Sequence, residues 1–173
     1  MSQQSTTELS LTPAEIQKIR RLLDEDEIRS LALFYSHYQD HSYLDRLRTV
    51  FTEDVRCEFG PYGTWEGCET VITNLGEVNR QMGGRPFMAM HANTLHWIEW
   101  LDPDHAIGRR QLLDFQLTRT PEENPLLWLG LYEDRYRRTA AGWRIEVMRL
   151  DFLWPERLVV DGFPGEFPPD SVA

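Results

Sequence analysis

The chain has 173 residues with 18 Lys+Arg against 28 Asp+Glu, a net charge of −10, and 6 Trp, 6 Tyr and 8 Phe. That length makes about one domain with a sizeable core. The charge argues against nucleic acid or an anionic membrane surface as a partner, a 41% hydrophobic content argues against disorder, and no apolar run approaches the roughly 20 residues that cross a bilayer.

Helix signals come first in the chain. Thr12-Pro13-Ala14-Glu15 is a capping box with Pro at the first helical position. Ile16, Ile19, Leu22 and Leu23 follow at helical spacing. Asp24-Glu25-Asp26-Glu27 reads as a second start, ahead of the stripe Ile28, Leu31, Ala32 and Tyr35, so either one helix runs from 13 to 40 or two abut near Asp24, and two are preferred. Asp40-His41-Ser42 ends the second. Leu44, Leu47, Val50 and Phe51 predict a short helix ending near Thr52-Glu53-Asp54. Val55, Cys57 and Phe59 then alternate as a half-buried strand, closed by the turn residues Gly60 to Gly63. Val71, Ile72, Leu75, Val78, Asn79 and Met82 form another helical stripe, stopped by Gly83-Gly84.

From there the pattern is strand. Strands are expected near 87–100, 105–118, 126–138 and 143–153, the last two as a hairpin. The remainder, 154–173, is a Pro- and Gly-rich apolar tail with Leu158, Val159, Val160, Phe163 and Phe167, suited to covering a partner subunit or a pocket mouth. Residues 1–10 read as a loose arm and 11–153 as the domain. Helices followed by long antiparallel strands predict an α+β fold with helices against one face of a curved sheet. Cys57 and Cys68 make neither a disulfide framework nor a zinc spacing. With a polar N-terminus lacking signal-peptide order, they predict free thiols and a cytoplasmic protein.

Four stretches carry a family resemblance: Ile28 to Asp40 with Leu47 to Val55, the Tyr62 to Gly67 turn, Met90-His91, and Tyr132-Glu133-Asp134-Arg135 with Gly142-Trp143-Arg144-Ile145. In order and spacing they resemble the nuclear transport factor 2-like superfamily, in its SnoaL-like branch, over residues 24–153. The resemblance implies a cone-shaped, curved mixed sheet packed against N-terminal helices. Within the branch the chain looks like the group of scytalone dehydratase, bile-acid 7α-dehydratase and hexachlorocyclohexane dehydrochlorinase. That group has an Asp ending the first long helix and a His on a later strand, which match Asp40 and His91. The bile-acid enzyme's Tyr matches Tyr35, and an Arg late in the final strand matches Arg149. The dehydrochlorinase has a Lys where this chain has Tyr35, which counts against dehydrochlorination.

The residues allow that chemistry. His91 alternates onto one face with Phe87, Ala89 and Asn93. A carboxylate such as Asp40 on one ring nitrogen would fix the tautomer and leave the other nitrogen as a base. A buried structural histidine is the competing reading. Asp40 sits at the unfavourable end of a helix dipole unless it has another task, although Asp is also common in turns. Tyr35 is either a core aromatic or a proton donor, with Tyr38 and Tyr43 as rivals. Arg149 follows Trp143, Ile145 and Val147 at every second position, which predicts a buried, anion-holding cation. Trp65, Asn93, Trp128, Tyr132 and Phe115 are candidates for lining the substrate pocket, or equally for ordinary core.

No G-x-G-x-x-G or P-loop occurs, so no nucleotide cofactor is expected. His37 and His41 are four apart but lack an accompanying Glu, so no metal is expected either. The reading is a cofactor-independent lyase, a dehydratase of a hydrophobic cyclic molecule such as a polyketide, steroid or alicyclic compound. Alternatives are an isomerase or cyclase using the same pair, or a non-catalytic ligand-binding or scaffold protein akin to an oxygenase β-subunit. Relatives form homo-oligomers, so one is expected here, a trimer before a dimer.

Overall fold

A computed structural model describes residues 10–117, 120, 122, 123 and 126–159. The order is α1 (Pro13–Asp40), α2 (Leu44–Leu47), β1 (Phe51–Glu58), a 3-10 turn (Gly60–Tyr62), β2 (Thr64–Glu66), α3 (Cys68–Gln81), β3 (Ala89–Trp100), β4 (His105–Gln116), β5 (Leu126–Thr139) and β6 (Gly142–Trp154). The strands form a six-stranded sheet in the order β2-β1-β6-β5-β4-β3. β1 runs parallel to β6 and every other pair is antiparallel, so the sheet is mixed. The α+β architecture is as expected, with helices on one face of a curved, unclosed sheet.

The N-terminal capping box forms. Thr12 Oγ1 accepts from the Glu15 amide, while the Glu15 carboxylate accepts from the Thr12 amide at 2.8 Å. The expected break at Asp24 does not occur, and α1 is one helix of 28 residues. No Gly or Pro interrupts the chain from Ala14 to Asp40. The acidic cluster is used across the fold instead. Asp24 accepts from Arg138 and from Trp143 Nε1 at 3.0 Å, and Glu27 accepts from the Trp143 amide at 2.9 Å. The helix buries Ile28, Leu31, Ala32 and Tyr35, while Ile16, Ile19, Leu22 and Leu23 of its first half are exposed.

Two boundaries differ near residue 50. The helix predicted through Phe51 is the four-residue α2, and Phe51 already opens β1, where Thr52 to Asp54 continue the strand. Val50 and Phe51 are buried core residues, and helical spacing over four apolar residues does not by itself separate a helix from a strand start. Thr64–Glu66, inside the predicted turn region, pairs with β1 as β2. The core gathers Ile28, Leu47, Phe51, Val55, Val71, Tyr136, Trp143, Ile145 and Met148 between helices and sheet. Cys57 and Cys68 are free thiols, Cys57 buried. Among the described residues no helix is long and apolar enough to cross a membrane. Beyond β6, Leu158 exchanges backbone hydrogen bonds with Phe152; the tail aromatics Phe163 and Phe167 lie outside the described residues, as do residues 1–9 of the N-terminal arm.

Candidate active site

Asp40 is the last residue of α1. Its backbone carbonyl accepts from the Phe87 amide at 2.6 Å, tying the helix end to the chain entering β3. Its carboxylate accepts from the His91 amide, at 3.1 Å to Oδ2, and its Oδ1 lies 2.5 Å from His91 Nδ1. The predicted pair is therefore in contact, and both side chains are largely buried, with 13% of His91 and 7% of Asp40 exposed. A carboxylate on Nδ1 places the proton there and leaves Nε2 as the basic nitrogen. Burial alone would lower the His91 pKa. The hydrogen bond that Nδ1 donates to Asp40 and the charges of Asp114, when it is ionised, and of Asp40 outweigh it, and the group is held above its usual value near 6.5.

His91 borders a cavity between α1, α3 and the helix-covered face of the sheet. Its volume of about 90 Å³ is well above the ~10–15 Å³ that one water needs. The wall is largely aromatic: Tyr35 from α1, Phe59 and Tyr62 after β1, Trp65 from β2, Trp128 and Tyr132 from β5, and Phe152 from β6. Leu75, Val78 and Met82 of α3 close another side. No Lys or Arg is among the described residues that line it. Tyr35 and Tyr132 meet edge to face, ring centres 6.3 Å apart. Burial first of all holds both phenols well above their usual range, so both stay protonated at neutral pH.

The structure therefore brings together His91, Asp40, Tyr35, Trp65, Trp128 and Tyr132. Three other expected residues lie elsewhere. Arg149 is on the opposite face of the sheet, where its Nη2 donates to Asp151 at 2.8 Å. The cause is a register shift in β6: Ile145 pairs with Tyr136 but Val147 pairs with Arg135, so Glu146 is an extra residue. Trp143 and Ile145 face the helices, and after the bulge Met148, Leu150 and Phe152 do so instead, turning Val147 and Arg149 outward. Phe115 also points to the outer face, since its neighbours Asp114 and Gln116 line the cavity. Asn93 faces the helices but not the cavity. Its Nδ2 donates to Ser36 Oγ at 2.6 Å and its Oδ1 accepts from Arg110 at 2.9 Å. The rival Tyr38 stacks on Phe34 outside the cavity.

Of the lining residues not singled out from the sequence, two bear most on the chemistry. Asp114 is the direct cross-strand partner of His91. Burial raises its pKa, against the opposing pull of His91 and with added repulsion from Asp40. A carboxylate in mid-strand is unusual, and Gln-Leu-Leu-Asp-Phe-Gln carried that signal. The other is Gln39, whose Nε2 donates to Asn79 Oδ1 at 2.8 Å. Gln39 Oε1, Asp114 Oδ1 and Trp128 Nε1 are buried without a hydrogen-bond partner among the described residues. Such atoms cost stability unless a ligand or water satisfies them. No group of three or more His, Cys, Asp or Glu side chains with metal-binding geometry is found among the described residues.

The fold around this cavity is of the nuclear transport factor 2-like, cystatin-like type. The SnoaL-like domain family matches residues 20–149, about three quarters of the chain, and the chain belongs to that family. No curated protein matches it significantly. Among solved structures, one similar chain is a nuclear transport factor 2-like protein with a cystatin-like fold from Novosphingobium aromaticivorans (20% identity, 86% of this chain and 94% of that one, TM-score 0.72). Another is the hexachlorocyclohexane dehydrochlorinase LinA-type3 from Novosphingobium barchaimii (19% identity, 83% and 99%, TM-score 0.68). A third is a protein described as a candidate scytalone dehydratase from N. aromaticivorans (18% identity, 86% and 97%, TM-score 0.67). At these identities the likeness establishes the shared fold.

Proposed function

We propose that this SnoaL-like protein is a lyase that dehydrates a hydrophobic cyclic molecule bearing a hydroxyl group two carbons from a carbonyl carbon. The observation that carries the proposal is the 2.5 Å contact of Asp40 with His91 Nδ1 at the wall of an aromatic cavity. In this reaction His91 Nε2 removes a proton from the carbon beside the carbonyl. The electron pair forms the new C=C bond as the C–O bond to the hydroxyl breaks. Asp114, kept protonated more readily by its burial, donates to the departing oxygen, so water leaves. Transfer of the proton from His91 to Asp114, directly or through water, restores both groups. Tyr35 and Tyr132 hold the carbonyl oxygen. Positioning with general acid–base help suffices for such an elimination. A neutral substrate suits a cavity without a lining cation and a chain of net charge −10.

A panel of cyclic and fused-ring hydroxy ketones, incubated with the protein and followed by mass spectrometry, tests the reading. The expected product has lost one water, and His91→Ala and Asp40→Asn should each abolish its formation. Near-wild-type turnover in either variant, with the fold intact by circular dichroism, refutes the pair. Conversion at unchanged mass would assign the same pair to isomerisation or ring closure. A scaffold protein has no need to hold a carboxylate on a cavity histidine, and that contact favours catalysis over it.

A further inference from the structure

His91 stands on an edge strand. In the described sheet β3 is hydrogen-bonded to β4 alone. Their pairing slips between Thr94 and Trp97, where Leu95 has φ 50°, so Ala89 to Thr94 form a short regular run beside an irregularity. On its inner face this run meets α1 twice. His91 meets Asp40, and Asn93 Nδ2 donates to Ser36 Oγ at 2.6 Å. Ser36 and Asp40 are four residues apart on one helix face, about 6 Å along the axis. His91 and Asn93 are two apart on one strand face, about 6.6 Å. The two spacings match, so the contacts are parallel rungs between the same two elements.

The second rung has a fixed direction. Arg110 Nε donates to Asn93 Oδ1 at 2.9 Å, and a guanidinium offers donors only. Oδ1 is therefore committed to Arg110 and Nδ2 to Ser36. Arg110 is itself held. It pairs with Asp134, both are fully buried, and the Tyr136 hydroxyl donates to Asp134 Oδ2 at 2.9 Å. Stability is a poor reason for burying such a pair, because apolar side chains of similar volume often serve as well. A fixed Asn93 supplies a better one. We propose that Asn93 and Ser36 are positioning residues for the His91–Asp40 pair. Their rung, oriented by Arg110, holds the edge strand at one height against α1 and so keeps His91 Nδ1 on Asp40. Ser36, Asn93, Arg110 and Asp134 do not border the cavity, so they act through the pair and not on a substrate. The effect on turnover rests on the proposed elimination; the clamp on the pair does not.

Ser36→Ala in the full chain removes the rung by deleting one oxygen, and two readouts test the proposal. The first is NMR of the His91 ring, whose Nδ1 proton resonates far downfield in so short a hydrogen bond. In Ser36→Ala that resonance should move upfield or broaden away, and the ring's pKa should fall by at least about half a unit as Asp40 loosens. The second is exchange of the proton beside the carbonyl of 1-indanone in D₂O. Its kcat should fall at least about tenfold with KM within about twofold, since a misplaced base slows chemistry more than binding. Asn93→Leu should repeat both losses. Asn93→Asp accepts from Arg110 and from the Ser36 hydroxyl, keeps the rung, and should keep the resonance and a rate within about threefold of wild type. A rung with a structural role alone lowers the urea midpoint of Ser36→Ala and leaves resonance, pKa and kcat unmoved. That result overturns the proposal, as does loss of the resonance in Asn93→Asp. A wild type that catalyses no exchange removes the elimination reading, and the resonance and pKa still decide on the clamp.

Discussion

Asp40 acts on His91 in two ways: it fixes the ring through Nδ1, and it opposes the burial that would otherwise make the imidazole a weaker base. The pH dependence follows. A base must be unprotonated, so turnover should rise with pH through the raised His91 pKa. In Asp40→Asn, NMR titration of the ring should show that pKa falling below the wild-type value. An unchanged titration would contradict the role given to Asp40. Linkage adds a stability signature. His91 has a folded pKa above its unfolded one, so its contribution is fully present below the unfolded value and is lost as pH rises through the folded value. The pair and Tyr35 were legible through the family resemblance, because the local evidence of a helix end, a helical stripe and an alternating strand equally allowed structural roles. Asp114 and Gln39 were not, since their significance lies in which residue faces them across the fold.

The strands show what a single extra residue does. The Glu146 bulge leaves β6 intact as an element, yet it reverses the faces of the side chains from Val147 to Phe152. Strict alternation from Trp143 therefore puts Arg149 inside, and the structure puts it with Asp151 outside. Bulges leave little mark in a single sequence, whereas the strand and helix spans themselves were legible from hydrophobic period and Gly/Pro punctuation. The long helix gives the converse case, in which a cap-like Asp24-Glu25-Asp26-Glu27 cluster serves tertiary contacts to Arg138 and Trp143. At this scale the Arg110–Asp134 pair joins β4 to β5, and Asn93 links it to α1. Arg110→Met alone leaves Asp134 charged, buried and held by Tyr136 only, and should cost about 3–5 kcal/mol in urea unfolding. A loss below about 1 kcal/mol would mean that Asp134 finds another partner or takes up a proton.

In the whole molecule the aromatic residues divide by role. Trp143 and Phe51 are core, while Tyr35, Trp65, Trp128 and Tyr132 enclose the cavity. Apolar surface remains on Ile16, Ile19, Leu22 and Leu23 of α1 and on Met90 and Leu95 of β3, with Leu95 74% exposed. Surface of this kind suits association of copies, and light scattering should give a multiple of the chain mass, three before two; a monomer at micromolar concentration would contradict it. The central claim is that His91 is a carbon base inside the cavity. Exchange of the proton beside the carbonyl of 1-indanone in D₂O, followed by NMR, reads that step without a leaving group. The wild type should catalyse the exchange, with His91→Ala slower by about 10²–10⁴-fold; exchange at the wild-type rate in His91→Ala would contradict the claim.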